Sequence, residues 1–479
     1  MKKISRIQKS KVIERVKTIV IVLLFFSCLF LSYQIFQTYR DQAAGDGLWG
    51  GINLSGESIG KEGGSNKNTV TLFNHLTEPS LILVNGVGGR SVIQALDKNF
   101  KVLSNISNSI VYDSYRLGSD RLSLESEDEW RTALKLNSVY MSYPANRSTW
   151  YESESYRIKN SGLSNILKNY SETLVVPAGE RTVTIFFRDK VSRKVVKARL
   201  DTEEAQRVSD ILNEYNAQNE KKYTFAFELN LDEQTSGKAS LNSMLLINTE
   251  KLEASDIVAD VPKVYKMGLN FTKTTEFATE LINIFGYNPN TVRQYVSSED
   301  ALTFVGENGS LSVYPEGKIE YKALGPNEGI FLADAGQTGV SAANSGLWSI
   351  MERVIMASGV HLDGSDFDIK FTNMPGSMAT NERAEICLDY FVDGKKVIFN
   401  STPAVYAAIE DGVLVEFRMQ VKDIKKLASE TTLDSILTEI DRFCAANPEN
   451  KIISSSSIIY RYNNNGEEIK AMWQTIGTR

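Results

Sequence analysis

Nineteen consecutive positions, Thr18 to Phe36 (TIVIVLLFFSCLFLSYQIF), hold no formally charged side chain. The chain before them carries Lys2, Lys3, Arg6, Lys9, Lys11, Arg15 and Lys17 against a single acid, Glu14. A hydrocarbon core about 30 Å thick takes roughly 20 apolar helical residues, and cationic flanks stay on the cytoplasmic side. The pattern predicts a basic cytoplasmic tail over 1–17, a transmembrane helix through the lipid bilayer over 18–36, and a bulk that lies beyond the cell membrane. Two processing patterns compete with this retained anchor. A cleaved signal has an apolar core of about 7 to 15 residues and then a small-x-small site, but here the apolar run continues to Phe36 and the first small pair is Ala43-Ala44. A lipidated cysteine needs a small residue before it and a leucine-type residue three back, whereas Cys28 follows Phe25-Phe26-Ser27 with a further apolar turn behind it.

After the anchor the pattern changes. Residues 37–68 form a stalk with glycines at 45, 47, 50, 51, 56, 60, 63 and 64, the composition of a flexible tether. A first unit over 69–200 opens with the buried-strand run Leu81-Ile82-Leu83-Val84. It continues with a helix around Glu127–Leu136, then Val139-Tyr140-Met141, and ends in a hairpin of Val183–Phe187 and Val195–Leu200 across the charged turn 188–194. Asn85-Gly86-Val87-Gly88-Gly89 reads as a tight strand-to-helix turn. A dinucleotide fingerprint would need glycine where Ser91 stands, and no P-loop Lys-Ser/Thr follows.

From 201 onward one sentence repeats: an amphipathic helix, then antiparallel hairpins. Asp201 with Glu204, and Thr431 with Asp434, mark helix starts. Apolar faces recur at helical spacing in Ala205, Val208, Leu212, Tyr215; in Phe277, Leu281, Ile284; in Leu347, Ile350, Met351, Val354; and in Leu433, Ile436, Leu437, Ile440, Phe443. Gly286 and Gly359 stand where C-terminal caps belong. Asn308-Gly309, Asp393-Gly394 and Asp411-Gly412 each divide alternating strands, the two-residue turn needing positive φ. Val413, Val415, Phe417 and Met419 alternate with Glu416, Arg418 and Gln420, so one face is buried and one is wet. The expectation is an α+β protein of antiparallel sheets with helices on one face, divided into a middle domain over 201–325 and a C-terminal domain over 326–479.

Charge narrows the partners. Lys and Arg number 53 against 59 Asp and Glu; beyond residue 17 they number 46 against 58, a net charge of −12. Such a surface repels phosphate backbones, which argues against nucleic acid. Cys387 and Cys444 lie outside the anchor, free to form a disulfide or to remain buried thiols. The two histidines, His75 and His361, fall in different units, and His75 reads as a surface loop residue. Asp363, Asp366 and Asp368 suggest a calcium loop, but an EF-hand needs glycine at its sixth position and glutamate at its twelfth, where Asp368 and Met374 stand. No motif here supplies a catalytic residue, a cofactor site or a metal site. A non-enzymatic binding or regulatory role follows, with capture of a cell-wall fragment or peptide as one form of it.

Phe285-Gly-Tyr-Asn-Pro289 through Arg293 and Tyr295, then Phe304-Val305, Gly309-Ser-Leu311 and Pro315-Glu-Gly-Lys-Ile-Glu-Tyr321, resembles a repeating segment of the YycH/YycI family. So do Tyr390-Phe-Val-Asp-Gly394, Ala404–Phe417, and Tyr460-Arg-Tyr462 followed by Ile469–Trp473. Trp130 ahead of Val139–Pro144 is similar to the first domain of the longer, YycH branch. The resemblance implies a membrane-anchored accessory regulator of a WalK-type (YycG) sensor histidine kinase. It implies contact with that kinase and with a YycI-like single-anchor protein, and control of cell-wall homeostasis through a two-component system. It implies no catalytic residue, and its branches differ on whether the kinase is restrained or stimulated.

The anchor offers a physical route for such contacts. Cys28 and Ser32, spaced i and i+4, put small polar groups on one helix face, and Ser27 and Gln34 add hydrogen-bonding groups that lipid cannot satisfy. Interhelical bonds of this kind contribute about 0.6 to 2 kcal/mol each, and about 1.4 kcal/mol shifts a two-state population tenfold.

Overall fold

The computed structural model describes residues 73–478, apart from 87–88, 96, 217–222, 234–238, 268–274, 299, 326–327, 333–338, 363–364, 378–381, 401, 451 and 463–467. The expected tail, anchor and stalk lie outside the described residues. Among those described, no helix is long and apolar enough to cross a membrane.

Seven strands build a first sheet: β1 (Leu81–Gly86), β2 (Gly89–Ile93), β3 (Leu122–Glu125), β4 (Ser138–Ser148), β5 (Asn169–Pro177), β6 (Thr182–Arg188) and β7 (Val195–Asp201). Their order is β2-β1-β4-β5-β6-β7-β3, and every pairing is antiparallel. Leu81–Val84 is almost uninterruptedly apolar because both faces of β1 are covered. Leu83, Tyr140, Leu174 and Phe186 meet Trp130 of the helix Glu127–Ala133 together with Phe225 and Met244. The helix Glu204–Asn216 packs on β1, β4 and β5, and the helix Lys98–Tyr115 packs on it in turn. Ser126 caps the helix Glu127–Ala133 by accepting from the Glu129 amide, and the expected hairpin is β6–β7.

The turn after β1 differs from expectation. Gly86 pairs with Gly89 and the chain returns as β2 instead of entering a helix. The physical reason is Arg90: buried, it donates from Nε to Asn85 Oδ1 (2.7 Å) and ties the two strands together. The helix waits until Asp97, whose carboxylate accepts from the Asn99 amide.

The chain then forms β8 (Thr224–Phe225), β9 (Ser240–Leu241), β10 (Leu246–Ile247), β11 (Leu252–Asp260), β12 (Arg293–Val296), β13 (Leu302–Gly306), β14 (Gly309–Val313), β15 (Lys318–Lys322) and β16 (Ile330–Phe331). The remaining strands are β17 (Asp368–Asn373), β18 (Arg383–Val392), β19 (Lys395–Ile398), β20 (Val405–Glu410), β21 (Val413–Gln420), β22 (Asp423–Leu433), β23 (Ile452–Arg461) and β24 (Ala471–Thr478). A sheet of 13 strands runs β12-β13-β14-β15-β21-β20-β18-β19-β23-β24, with β16, β17 and β9 attached to it, while β11 and β22 form a separate ribbon. Tyr321 of β15 faces Phe417 of β21, so one sheet runs across the 325/326 boundary. The pairing is not wholly antiparallel as expected: β23 lies parallel to β19 and to β9. A long connection through the helix Ile436–Ala446 separates β19 from β23, and such a crossover is what parallel neighbours need.

Turn chemistry is where expectation and structure meet most closely. Asp393 and Gly394 (φ 48° and 76°) and Asp411 and Gly412 (φ 49° and 80°) are two-residue turns with positive φ at both positions. At the third hairpin the loop is shifted by one: Gly306 pairs with Gly309, so Glu307 and Asn308 turn and Gly309 opens β14. A Cβ on Gly309 would lie 2.3 Å from the Lys322 carbonyl oxygen, and its φ is 145°. Helix starts move too. Asp201 ends β7, and the Thr202 hydroxyl accepts from the Glu204 amide (3.3 Å). Thr431 stays in β22, bonded to Asp256, because the ladder with β11 continues to Leu433; Ser435 caps the helix instead.

Candidate functional site

The first described residues run through a seam between the two sheets. The Phe73 ring lies tilted against Tyr151 (6.2 Å) and Phe371 of β17 (6.1 Å), which also touch each other (6.3 Å), and edge-on to Tyr156 (5.6 Å). Phe73 and Leu76 are buried, which winds this stretch into a helical turn, and Thr77 closes it by donating to the Phe73 carbonyl (2.8 Å). His75 is therefore no loop residue: its Nδ1 lies 3.4 Å from Glu78, three residues on. The Ser80 amide donates to the Ser142 carbonyl of β4 (2.9 Å), while Lys370 of β17 donates to the Pro79 carbonyl (3.2 Å) and lies 3.8 Å from Glu78. Residues 73–80 thus touch both the first sheet and β17 where β17 and β4 meet.

Beside them the seam is closed by Asn344 of the helix Val340–Ala357. It accepts from the Tyr151 hydroxyl and donates to Ser155 Oγ (3.2 Å). Gly346 in the same helix lies flat on the Leu332 backbone, where a Cβ would meet the Leu332 carbonyl oxygen at 2.0 Å.

Electrostatics favour the closed seam. Burial works to raise Glu78, but the hydrogen bond from His75 and the positive charge of Lys370 outweigh it and hold the carboxyl below its ordinary 4.5. A depressed carboxylate contributes stability that is fully present above the unfolded value and lost as pH falls through the folded one. The stability gap between wild type and Glu78→Gln should therefore be widest near neutrality and shrink as pH drops below 4.5. Urea midpoints of the two proteins across that window check this, and a gap independent of pH would refute it.

Under the leading segment lies a buried ionic network. Arg147 and Glu152 are both wholly buried; Arg147 Nε bonds Glu152 Oε1, and its Nη1 donates to the Thr77 carbonyl (3.3 Å). The Tyr115 and Tyr170 hydroxyls both donate to Glu152 Oε2 (2.8 Å each), and the guanidinium lies 4.3 Å from the Tyr143 ring centre. Burial, then the Glu152 charge, pushes Tyr115 well above its ordinary range and keeps it a donor. A second set sits on β5 and β6, where Glu172 accepts from Tyr140 (2.6 Å) and Arg188. In both sets each carboxylate oxygen is spent on an Arg or Tyr of the same chain, so these groups organise the fold. Sequence reading missed them, although Arg147 and Glu152 stand out as opposite charges inside a Tyr-rich run.

The residues named from sequence fare unevenly. Ser27, Cys28, Ser32 and Gln34 lie outside the described residues. Cys387 on β18 and Cys444 on the helix Ile436–Ala446 are both free thiols, raised by burial and then by Asp389 and by Asp441 respectively. Asp366 accepts from the Lys426 amide (2.9 Å) and Asp368 lies 3.9 Å from Lys370, while Asp363 lies outside the described residues. Among the described residues no three His, Cys, Asp or Glu side chains gather as a metal site.

No family model matches the chain, and no curated protein matches it. Among solved structures, the crystal structure of YycH from Bacillus subtilis is similar over 85% of this chain and 96% of its own, at 10% sequence identity and a TM-score of 0.50. The chain therefore has a YycH-like fold.

Proposed function

We propose that this chain is a single-pass membrane protein, its N-terminus cytoplasmic and its bulk extracytoplasmic, that regulates a sensor histidine kinase controlling cell-wall homeostasis without itself making or breaking bonds. The observation that carries the reading is the YycH-like fold over 85% of the chain, taken with the uncharged run Thr18–Phe36 and the seven bases before it. The partners are a WalK-type kinase and a YycI-like single-anchor protein, met through the membrane helix, on the face of Ser27, Cys28, Ser32 and Gln34, and through the folded domains. The test is to replace residues 18–36 by an unrelated membrane helix of equal length and follow a cell-wall reporter together with crosslinking to the kinase. Altered output and lost crosslinks are expected. Unchanged output with no kinase recovered from either protein would sink the reading.

A further inference from the structure

The connection from β4 to β5, the turn from β6 to β7 and the start of β1 all lie at one end of the first sheet. Ser148 pairs with Asn169, Glu172 with Arg188, and Ser142 with both Glu172 and Leu81. That end is basic, against the sign of the chain, which beyond residue 17 carries a net charge of −12. Arg157, Lys159 and Lys168 in the connection and Arg193 and Lys194 in the turn are exposed, and among the described residues none of the five has an ion-pair partner.

The acids nearby are already committed. Glu127 meets Arg188 (3.0 Å), and Glu125 and Glu129 meet Lys197 (3.1 and 3.8 Å). Asp189 shapes the turn, accepting from the Val191 amide (2.9 Å) and the Ser192 hydroxyl (2.6 Å), which leaves Asp128 and Glu154 against the five cations. The turn also carries Val191, at 81% the most exposed large hydrophobic side chain among the described residues. Lys190 beside it donates to Ser142 Oγ (3.0 Å), on the residue whose carbonyl holds the Ser80 amide, and Tyr156, next to Arg157, donates to Asn74 (3.3 Å). The basic end is therefore also the end at which the leading segment enters the fold.

We propose that this end of the first sheet docks on the anionic lipid headgroups of the bilayer, an inference that rests on the anchor reading above. Charge complementarity selects the occupant, since unpaired cations grouped at one end of an acidic chain are drawn to a surface of opposite sign. Position selects the membrane over a free polyanion. The described chain starts at Phe73, 37 positions past Phe36, and a chain of that length spans at most about 130 Å, so this end is always within reach of the bilayer that holds the anchor. The turn has a fixed shape, with Asp189 bonded across it and Arg193 at φ 57°, and its exposed Val191 stands between the cations, where an apolar side chain can enter the headgroup layer.

The test uses the full-length chain reconstituted in vesicles of phosphatidylcholine, alone or mixed with phosphatidylglycerol. It carries Cys28→Ala, Cys387→Ala and Cys444→Ala, and a fluorophore attached through Val191→Cys. Headgroup-labelled quencher lipid should quench the label in vesicles containing phosphatidylglycerol and not in neutral ones, and 1 M salt should reverse this because the screening length falls to about 3 Å. A label attached through Glu180→Cys, at the opposite end of the sheet, should stay unquenched in both. Each cation near a charged surface strengthens the contact about fivefold, so Lys168→Glu with Lys194→Glu should bring quenching down to the neutral level, whereas Arg181→Glu should not. Equal quenching in both lipids overturns the proposal, and so does binding of soluble polyphosphate without quenching. Carbonate extraction keeps the two readings apart: a chain that washes off brings down the anchor reading and this inference with it, while a retained chain whose label is unquenched in both lipids overturns this inference alone. Lys168, Glu180, Arg181, Val191 and Lys194 are exposed, and unfolding curves verify that each variant is folded.

Discussion

Replacing Arg147 by alanine is expected to cost about 3–5 kcal/mol of stability, because it leaves Glu152 as a buried charge without its partner. The guanidinium also carries the bond to the Thr77 carbonyl and lies over the Tyr143 and Tyr170 rings at 4.3 and 5.2 Å, so the leading segment should loosen with it. The double replacement Arg147→Met with Glu152→Gln is expected to cost less than Arg147→Ala alone. It strands no charge, and the Gln carbonyl still accepts from Tyr115 and Tyr170. Urea unfolding of a fragment beginning at residue 69, followed by tryptophan fluorescence, measures both. If the double variant proved as unstable as the sum of its singles, the ion pair would not be the source of the loss.

Trp130→Ala should be comparably damaging, at about 3–5 kcal/mol. Trp130 is wholly buried, with Tyr140 and Phe186 edge-on at 6.3 Å each and its indole nitrogen 3.2 Å from the Met244 sulfur. The ring therefore joins the first sheet to the segment that carries β8 and β10. Phe225 and Met244 stay on the sheet through this core and through the Arg90–Glu228 and Arg131–Asp232 ion pairs. Hydrogen exchange should report lost protection at Phe225–Ile247 well before the helix Ile436–Ala446 is affected. Equal loss at both places would show that Trp130 supports the whole fold and not this junction, while Trp130→Phe should restore most of the protection.

Much of the fold was legible in the sequence for local reasons. Asp393-Gly394 and Asp411-Gly412 turn where their positive φ values require; Gly286 and Gly359, at φ 73° and 74°, follow the helices Glu276–Ile284 and Val340–Ala357. Ala205, Val208 and Leu212 are buried as their spacing predicts. The misreadings came from interactions distant in sequence. Thr431 carries a good capping pattern, but its partner is Asp256 across the β11–β22 ribbon. The glycines after β1 look like a strand-to-helix turn until Arg90, also bonded to Glu228, fixes a hairpin. The leading segment showed no signal at all, since its meaning depends on Phe371 and Lys370, nearly 300 residues further along.

The amino-acid order alone determined the apolar faces of several helices, the Asp393-Gly394 and Asp411-Gly412 turns and that the chain is acidic, because turn geometry and the periods 3.6 and 2 act over a few neighbouring residues. Only the tertiary structure decided that β15 and β21 make one sheet and that Arg147, Glu152, Tyr115 and Tyr170 share one buried network. Those outcomes rest on contacts between residues far apart in the chain, whose closing depends on the packing of the whole and not on any local pattern.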